Sequence, residues 1–591
     1  MNSQAEKIIC QNCKKDFIIG SDDFRFYEKI KVPPPTWCPE CRLIRRLSFR
    51  NERYLYKCIC ELCKKEVLSI YESSSKRKVF CPACWWSDNW DQYESGMEYD
   101  FSKSFFEQYK ILQEKSAVQS LFLHYQTIVD SNYNNLAGYL KNCYMVFYAD
   151  HNERCMYASG LKMSNDSQDV LMLQKSELCY ESVNITKGYK NLYSVDCEEC
   201  SEIYFCKNCL NCNNCIGCVN LRNQKYCIEN IQYSKEEYEM KIKELDLSNY
   251  QNIKKCFKKA QEFWKKYPQK YMHSRKNVNS SGDYIQYSKN TLMSYEMIGA
   301  EDCKYCQFAS TKTSKDCYDY TEYGENVELI YETLLLGDGG FNVRFSAQAF
   351  SNVRDVEYCY GVANVAHMFG CIGMHGKQYC ILNKQYTKEE YDKLVPKIRQ
   401  QMNEIPYVDK YKREYRYGEF FPLELSSFGY NESTAQEFFP LDSFKAEKYG
   451  YAWKKIEEKN YIPTKSWKDL PNTISETSDN ITDDIILCES WDIDSHSASN
   501  HNCTKAFRIL NQELLFYRRM DIPIPRKCPN SRHNDRIQFR NPIKLWRRIC
   551  MCEKQNCLHG TKKCEVEFET SYAPEMSEIV YCERCYQQEV Y

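Results

Sequence analysis

Apolar residues follow two different periods along this chain, and each period predicts a different kind of structure. Phe105 and Tyr109 stand at helical spacing behind Ser102, a residue type that caps helices, which predicts a helix over 102–115. From about Asn142 onward the units shorten, and a small or apolar residue recurs among Asn, Asp and Glu residues. Short repeats of this kind are typical of a β-solenoid, in which each coil stacks its inward side chains on the next coil.

Cysteines mark these repeats most densely in one segment, where the last five stand at a spacing of three. The segment contains Cys197, Cys200, Cys206, Cys209, Cys212, Cys215 and Cys218. In a stack of coils each of them is a small buried hydrophobic side chain. Seven thiols in so short a stretch can also hold a metal–thiolate cluster, and the sequence leaves both interpretations open.

The predicted solenoid has two halves that end in the same way. After the last coil of each half comes a capping box, the Ser/Thr-x-x-Glu pattern that opens a helix. The two boxes are formed by Ser234 with Glu237 and by Thr387 with Glu390. We expect the helices that follow to cover the open ends of the coils.

Near the N-terminus, cysteines come in pairs separated by two residues, a spacing that points two thiolates at one metal ion. Two such pairs complete the tetrahedron that zinc prefers. The two complete sets are Cys10, Cys13, Cys38 and Cys41, and Cys60, Cys63, Cys81 and Cys84. Four protein ligands leave no open position for chemistry, so we expect zinc that holds the chain in shape.

The stretch around these cysteines occurs a second time near the other end of the chain. Residues 12–60 and 502–550 align at a fixed offset of 490 without a gap, and they share 19 of 49 residues. Such an internal duplication predicts a second module of the same kind.

The second copy departs from the ligand pattern of the first. Asn500 and Ser531 stand where the first copy has Cys10 and Cys41. Imidazole and thiolate both suit zinc, and His501 lies nearby in the sequence as one further donor. The predicted ligand set is Cys488, Cys503, Cys528 and His533. The alternative is a lost site whose fold survives on packing.

A final set of cysteines follows the duplicated stretch. Its predicted ligands are Cys550, Cys552, Cys564, Cys582 and Cys585. Eleven residues are inserted before Cys564 relative to the first copy, and they include Cys552, Cys557 and His559. One of these, or Cys550, completes the site, and a second ion is conceivable. We expect about three to four zinc ions in the whole chain.

Both copies also carry a basic stretch with aromatic residues among the charges. Its recurrent positions are Arg42, Arg46 and Arg50 in the first copy and Arg532, Arg536 and Arg540 in the second. Arginine binds phosphate bidentately and aromatic rings stack on bases, which predicts binding of nucleic acid or another polyanion. The alternative is a solvated helix face whose apolar residues pack inward.

Composition narrows the class of protein. The chain has 591 residues, 36 cysteines and a net charge of −1, so attraction to a polyanion has to be local. The first ten residues lack a signal-peptide core, which favours reduced thiols and a cytoplasmic location. The sequence has no apolar run long enough for a bilayer, so we expect no membrane partner.

Several domains are expected at this length. They are an N-terminal double zinc module (1–86), a helical connector (87–135), the first solenoid half (136–233), capping and connecting helices (234–282), the second solenoid half (283–386), a helix with an aromatic connector (387–487) and a C-terminal double zinc module (488–591).

Two resemblances bear on these expectations. The N-terminal stretch is similar to the treble-clef type of zinc ribbon in small bacterial zinc-ribbon domains, and it matches through CQNCKKDF, FYEKI and CPECR. The whole chain resembles a family of uncharacterised multi-zinc-ribbon repeat proteins from uncultivated small-genome bacteria. That match rests on VPPPTWCPECR, FRNERYLY, CPACWWSDNWD, CVNLRNQKY, KLWRRICMC, FETSYAPE and YCERCYQQEVY. The resemblance implies a zinc-containing repeat protein and no particular activity.

We therefore predict a mainly β fold with helical insertions, a two-part β-solenoid flanked by duplicated zinc-ribbon modules. The predicted function is a non-catalytic zinc scaffold that binds nucleic acid through its arginines. The alternatives are a protein-interaction or assembly protein, and a β-solenoid carbohydrate-active enzyme. The enzyme needs two carboxylates in one groove. Candidate pairs are Glu198 with Glu199 and Asp316 with Asp319, which the sequence does not tie to one cleft.

Overall fold

The chain folds into a mixture of α-helices and largely parallel β-sheets. This is seen in a computed structural model that describes residues 4–309, 313–455, 461–555, 557, 559–560 and 563–591. Fourteen α-helices lie within those residues, and the larger sheets pair their strands in parallel. The fold is therefore a mixed α and β one, which is a broader description than the mainly β fold predicted.

The N-terminal region, residues 4–120, is built from two short hairpins that are each followed by a helix. Its strands are β1 (Glu6–Ile9), β2 (Asp16–Ile19), β3 (Tyr56–Ile59), β4 (Glu66–Ser69), β5 (Lys78–Phe80) and β6 (Ala117–Gln119). Its helices are α1 (Ser21–Lys29), α2 (Pro39–Leu47), α3 (Pro82–Trp85) and α4 (Phe105–Lys115). Helix α4 begins later than predicted, because Ser104 and not Ser102 forms the capping box with Glu107.

The first repeat region, residues 128–232, is a ladder of short parallel strands in which each strand pairs with the chain 12 residues further on. Thus Ser159 pairs with Leu171, Leu171 with Val183, and Val183 with Val195. The strands are β7 (Ile128–Val129), β8 (Asn135–Lys141), β9 (Tyr144–Glu153), β10 (Met156–Lys162), β11 (Leu171–Gln174), β12 (Val183–Thr186), β13 (Tyr189–Leu192), β14 (Val195–Glu198), β15 (Ser201–Tyr204), β16 (Asn213–Ile216), β17 (Lys225–Ile228) and β18 (Ile231–Gln232).

A period of three residues runs through this region at the level of single residues. Every third residue between positions 136 and 229 has a positive φ, so the backbone turns after each group of three. Asn, Asp and Gly tolerate this conformation best, which explains their frequency in the repeats. Every third residue between positions 140 and 218 is buried. The periodic positions of the sequence are therefore buried positions of this region.

Inward thiols and hydroxyls in this region bond to the backbone. The thiol of Cys206 lies 3.4 Å from the carbonyl oxygen of Tyr204 and 3.5 Å from that of Cys215. The hydroxyl of Ser182 donates in the same way to two carbonyls, at 3.0 Å and 2.9 Å. Within the described residues, the donor sets close enough to share one metal ion do not include the cysteines between positions 197 and 218. The geometry favours core packing over a metal cluster there.

The second repeat region, residues 274–385, also pairs its strands in parallel, but with a less regular register. Its register step varies: Ser274 pairs with Ile285, Ala300 with Ser314, and Lys315 with Glu328. Strands 269–385 are β19 (Gln269–Lys270), β20 (Ser274–Arg275), β21 (Gly282–Gln286), β22 (Ser294–Ile298), β23 (Ala300–Glu301), β24 (Ser314–Thr321), β25 (Val327–Leu334), β26 (Phe341–Arg344), β27 (Phe350–Glu357), β28 (Ala363–Phe369), β29 (Gln378–Ile381) and β30 (Lys384–Gln385).

Both repeat regions end in a short antiparallel pair and then a helix. The pairs are β17 with β18 and β29 with β30. The helices are α5 (Lys235–Leu245), α6 (Tyr250–Trp264) and α7 (Lys388–Glu404). The two predicted capping boxes are confirmed, because Ser234 and Thr387 each exchange hydrogen bonds with the Glu three residues later.

The rest of the chain is a connector and the C-terminal region, residues 486–591. The helices are α8 (Thr434–Phe438), α9 (Ser443–Lys448), α10 (Glu489–Ile493), α11 (Ser495–Asn500), α12 (Asn511–Met520), α13 (Pro529–Ile537) and α14 (Glu583–Val590). The strands are β31 (Tyr407–Val408), β32 (Glu414–Tyr415), β33 (Ile486–Leu487), β34 (Ala506–Phe507), β35 (Trp546–Ile549), β36 (Glu567–Thr570) and β37 (Val580–Tyr581). In the connector, Phe421 packs 5.1 Å from Tyr109 and 6.2 Å from Tyr358, measured between ring centroids.

Each copy of the duplicated stretch contacts the repeat region that is distant from it in the chain. Helix α2 of the N-terminal region lies on β24 and β25 of the second repeat region, and α13 of the C-terminal region lies on β10 and β11 of the first. The N-terminal and C-terminal regions therefore each pack against one of the two repeat regions. In the part of the chain that the structure describes, no helix combines the length and the apolar character that crossing a bilayer requires.

Candidate metal centres and the buried arginines

Four cysteine clusters share one backbone frame. In each cluster, the backbone N–H of the first cysteine donates a hydrogen bond of 2.9 Å. The acceptor is the carbonyl oxygen of the residue two positions after the second cysteine. These bonds run from Cys10 to Lys15, Cys60 to Lys65, Cys488 to Lys505 and Cys550 to Val566. In each, the third cysteine is the N-cap of a helix, and its N–H donates to the sulfur of the first cysteine. These bonds run from Cys38 to Cys10, Cys81 to Cys60, Cys528 to Cys488 and Cys582 to Cys550, at 3.2–3.3 Å.

This frame shows which residues of the two copies correspond. Cys488 is the structural counterpart of Cys10, and Asn500, which aligns with Cys10 at the fixed offset, is not. Cys488 and Cys503 are 15 positions apart where Cys10 and Cys13 are three apart, so the second copy carries an insertion inside its first turn. An ungapped alignment hides that insertion.

The first two clusters have the ligand sets that the sequence predicts. The first cluster is Cys10, Cys13, Cys38 and Cys41, and the second is Cys60, Cys63, Cys81 and Cys84. Within each cluster the four sulfur atoms lie within 4.8 Å of one another. The sulfurs of Cys13 and Cys38 are 3.8 Å apart. Zinc at about 2.3 Å from each thiolate of a tetrahedron places neighbouring sulfurs roughly 3.8 Å apart. The donor sets therefore fit a tetrahedral ion.

The surroundings of the first cysteine in each of these two clusters favour a thiolate. The pKa of the Cys10 thiol lies well below its ordinary value, because the thiols of Cys38 and Cys41 donate to its sulfur. Burial opposes ionisation of Cys60, but backbone N–H groups that point at its sulfur, those of Cys81 and Cys63 among them, lower its pKa to about 7. The pKa of the Cys38 and Cys41 thiols is raised, first because they hold hydrogen bonds to Cys10. Burial raises the pKa of Cys81 and Cys84. Because the third and fourth ligands lie in the first turn of a helix, the helix dipole nevertheless favours negative charge there.

The third cluster consists of Cys488, Cys503 and Cys528. Ser531 occupies the helix position that Cys41 holds in the first cluster, and its hydroxyl lies 3.4 Å from the sulfur of Cys528 and 3.7 Å from that of Cys488. Behind it, Nε2 of His501 is 3.3 Å from the Ser531 hydroxyl. The structure thus brings together three of the four predicted ligands and places His501 next to the fourth position.

His533 departs from the predicted ligand set. It lies on α13 at the position of Leu43, which faces away from the sulfurs. Its Nδ1 lies 2.8 Å from Arg53, and its Nε2 lies 3.3 Å from Glu437. Burial, and then Arg53 beside it, lower its pKa well below the ordinary value. His533 is therefore part of the contact between the two ends of the chain and not of the third cluster.

The fourth cluster is formed by Cys550, Cys564, Cys582 and Cys585. Cys552, which the sequence analysis assigns to this site, lies instead in a fifth cluster with Cys557, His559 and Cys585. Cys552 is not needed in the fourth cluster, because Cys550 already fills the position of Cys60. The inserted donors instead form a separate set with Cys585.

Five of the six recurrent arginines are buried against the repeat regions and Arg540 is partly buried there, so the predicted contact of the buried five with nucleic acid is corrected here. Arg42 is 1% exposed and lies 2.7 Å from Asp319, and Arg46 lies 3.2 Å from Asp319 and 3.5 Å from Glu332. The guanidinium of Arg42 also faces the ring of Tyr305 at 5.5 Å. Although burial alone lowers the pKa of Arg42, Asp319 raises it well above its ordinary value, so Arg42 is charged.

The second copy repeats this arrangement residue by residue. Arg532 lies 3.1 Å from Asp169, and Arg536 lies 3.2 Å from Asp169 and 3.0 Å from Glu181. The guanidinium of Arg532 faces the ring of Tyr157 at 4.8 Å. The duplicated feature is therefore a helix with two arginines that binds a carboxylate pair and a tyrosine of a repeat region.

The third arginine of each copy is also paired. Arg50 contacts Glu322, and Arg540 lies 2.6 Å from Glu296. The guanidinium groups bind oxyanions here, as they would bind phosphate, but the oxyanions are carboxylates of the same chain. These acceptors were not predicted from the sequence. Their signal was an acidic residue at a turn position of the repeat, as Asp319 with φ of 52° shows.

The carboxylate pairs considered for an enzyme have other partners. Asp319 is 0% exposed and bonds to the two arginines, and Asp316 lies 2.7 Å from Lys29. Glu198 and Glu199 line a cleft of about 450 Å³ between the two repeat regions. There Glu198 lies 3.2 Å from Arg275. Glu199 lies 2.6 Å from Lys187, so each carboxylate of this pair has a basic partner at the cleft.

Taken together, five clusters of cysteine or cysteine and histidine could hold metal ions, which makes this a candidate multi-metal protein. Comparison of the chain with protein families, with curated proteins and with solved structures finds no match.

Proposed function

We propose that the protein is a non-catalytic scaffold in which zinc-ribbon modules of the treble-clef type hold a two-part β-solenoid. The ribbon assignment is supported by the turn, hairpin and helix of each cluster, since a helix that begins at the second ligand pair is how such a module directs four thiolates at one ion. Four thiolates bind zinc more strongly than they bind metal ions that prefer oxygen ligands.

The solenoid assignment is supported by the parallel register. A constant step of 12 residues in the first region means that each coil covers the previous coil with the same side-chain positions. The left-handed residue after every third position provides the corner that a coil of short sides needs. The antiparallel pair and helix after the last coil then cover the open edge.

One observation carries the scaffold proposal: both modules use buried arginine–carboxylate contacts to hold opposite halves of the repeats. Removing one partner of such a buried pair is strongly destabilising, by roughly 3–5 kcal/mol, because an unpaired charge stays buried. The metal ion fixes the first turn of the helix that presents the arginines, so ion binding and attachment to the repeats are coupled. A structural role needs no open ligand position, and the two N-terminal clusters have four thiolates each.

Zinc removal followed by hydrogen exchange tests this proposal. The full-length reduced protein is compared with and without a strong chelator, with exchange followed in α2 and α13. We expect both helices to lose protection when zinc is removed, while β14 and β16, which within the described residues form no ion pair with either helix, change less. Unchanged protection of α2 and α13 after complete loss of metal would contradict the proposal.

A second candidate function, binding of a polyanion such as RNA, is favoured by a different surface. Helix α6 and the residues after it present exposed lysines on one side. These are Lys254, Lys255, Lys258, Lys259, Lys265 and Lys266. The chain is close to neutral overall, so a local basic face of this kind is the remaining route to a phosphate backbone.

A salt series of gel-shift or anisotropy measurements with single-stranded RNA tests this candidate. Each phosphate contact contributes about −0.7 to the slope of log K against log salt for single strands. We expect a variant with glutamine at Lys255, Lys258, Lys265 and Lys266 to bind more weakly with a shallower slope. The matched control replaces Lys187 and Lys190, which already pair with Glu199 and Glu202. This candidate function is contradicted if the unchanged protein does not bind RNA, or if the slope of log K against log salt is equal in all variants.

A further inference from the structure

The insertion in the last module places three extra donors around one sulfur of the fourth cluster. The sulfur of Cys557 is 3.5 Å from that of Cys585, and Nε2 of His559 is 3.3 Å from the sulfur of Cys552. All four of these donor atoms lie within 4.8 Å of one another. Cys585 therefore belongs to two complete sets of four donors at once.

We propose that the thiolate of Cys585 bridges two metal ions. The first ion is bound by Cys550, Cys564, Cys582 and Cys585, and the second by Cys552, Cys557, His559 and Cys585. This inference rests on the proposed zinc function and extends it, because it turns the last module into a binuclear centre with six cysteines and one histidine.

Charge supports a second ion. With a single ion, the thiols of Cys552 and Cys557 have to stay protonated, because an uncompensated thiolate among buried groups is costly. Two divalent ions shared by six thiolates and a neutral imidazole leave the same net charge as one ion in a four-cysteine site. Cys582 is the N-cap of α14, and Cys585 lies in the first turn of that helix. The positive end of the helix dipole therefore favours negative charge on both sulfurs.

Packing supports it as well. Among the described residues, the buried cluster of this module consists of the six cysteines with Tyr581 and Tyr586, and Phe568, Ile579 and Val590 pack around it. A module with so small an apolar core needs a metal or disulfide to hold it, and all of its cysteines are free thiols. The second cluster provides the comparison, since Cys84 stands at the same helix position as Cys585 but has no insertion beside it.

Counting the metal ions of the full-length, zinc-loaded, reduced protein by native mass spectrometry tests the bridge. We expect Cys557→Ser to lose one ion, Cys84→Ser to lose one ion, and Cys585→Ser to lose two. The bridge is overturned if Cys557→Ser keeps the full number of ions and Cys585→Ser loses a single ion, as Cys84→Ser does. That result leaves the proposed function intact. A protein without any bound zinc overturns the proposed function itself.

Substitution of the bridging residue can unfold the module, so a measurement on the unchanged chain is the second arm. The protein is loaded with ¹¹³Cd, and the one-dimensional cadmium spectrum is recorded. Two ions that share a sulfur split each other through scalar coupling, and we expect one coupled pair among the cadmium resonances. Cys557→Ser should remove one resonance of that pair and collapse the splitting of the other. Cadmium resonances without any mutual coupling overturn the proposal.

Discussion

Replacement of Asp319 by asparagine tests how the N-terminal module is held on the second repeat region. Asp319 is buried and faces two guanidinium groups, with oxygen–nitrogen distances of 2.7 Å to Arg42 and 3.2 Å to Arg46. The amide keeps the shape of the side chain but removes the charge. Two buried cations are then left with Glu332 as their nearest carboxylate, at 3.6 Å from Arg42 and 3.5 Å from Arg46.

The expected loss follows from these distances. Removing one partner of a buried ion pair costs about 3–5 kcal/mol. Because Glu332 still attracts both guanidinium groups, we expect the lower end of that range and not twice its value, namely about 3 kcal/mol. A loss of that size lowers the protection of α2 against hydrogen exchange by roughly 100-fold.

Hydrogen exchange of the zinc-loaded protein is the assay, because a chain with several domains does not have one well-defined unfolding free energy. The internal duplication provides the matched control. Asp169→Asn should reduce protection of α13 and leave α2 unchanged, while Asp319→Asn should do the reverse. Glu199→Gln, which breaks an exposed pair with Lys187, should change neither helix, because such pairs contribute about 0–1 kcal/mol. Equal protection of α2 in Asp319→Asn and the unchanged protein would refute the reasoning.

Two further predictions concern single sites. Ser531→Cys adds a fourth thiolate to the third cluster and should slow zinc loss to a chelator, whereas Cys41→Ser should speed zinc loss from the first cluster; equal rates in a competition assay contradict this. Burial lowers the pKa of His273, but Asp283 at 2.9 Å raises it by more, so the net shift is upward from 6.5. Their pairing therefore stabilises the fold fully below about pH 6.5 and is lost as pH rises through the raised pKa. Asp283→Asn should remove that pH dependence from thermal melts, and a melt whose pH dependence survives the substitution speaks against the pair.

The cysteine pairs and the period of the repeats could be predicted because their signals are local. A spacing of two residues between cysteines is enough to direct both sulfurs at one point. The spacing of three between cysteines such as Cys206 and Cys209 matches the buried residue and the positive φ that recur at every third position. The capping box at Ser234 is equally local, because the side chains that form it are three residues apart.

The partners of the arginines could not be predicted in this way. Arg42 and Asp319 are 277 positions apart, and no periodic signal joins them. A run of arginines with aromatic residues has the same composition whether it binds phosphate or carboxylate, because the planar guanidinium can bind two oxygens of either group. The fold decides between them by burying the arginines on the repeats.

The ligands of the third cluster illustrate a second limit. His533 was a reasonable donor from its position near Cys528, yet its side chain leaves α13 on the face opposite the sulfurs. The alignment without gaps also concealed that Cys488 replaces Cys10. The His533 error concerns the side of the helix on which a residue lies. The position of Cys488, which is among the predicted ligands, shows instead that an insertion moves a ligand in sequence without moving it in space.

The metal content of the reduced, natively purified chain tests the central claim most directly, when it is measured together with the exchange protection of α2 and α13. The account predicts one zinc ion for each of the four clusters with the shared backbone frame and a further ion bound through Cys585, and it predicts that both helices lose protection when these ions are removed. A chain that contains no zinc, or disulfides between these cysteines, and nevertheless protects both helices would contradict it.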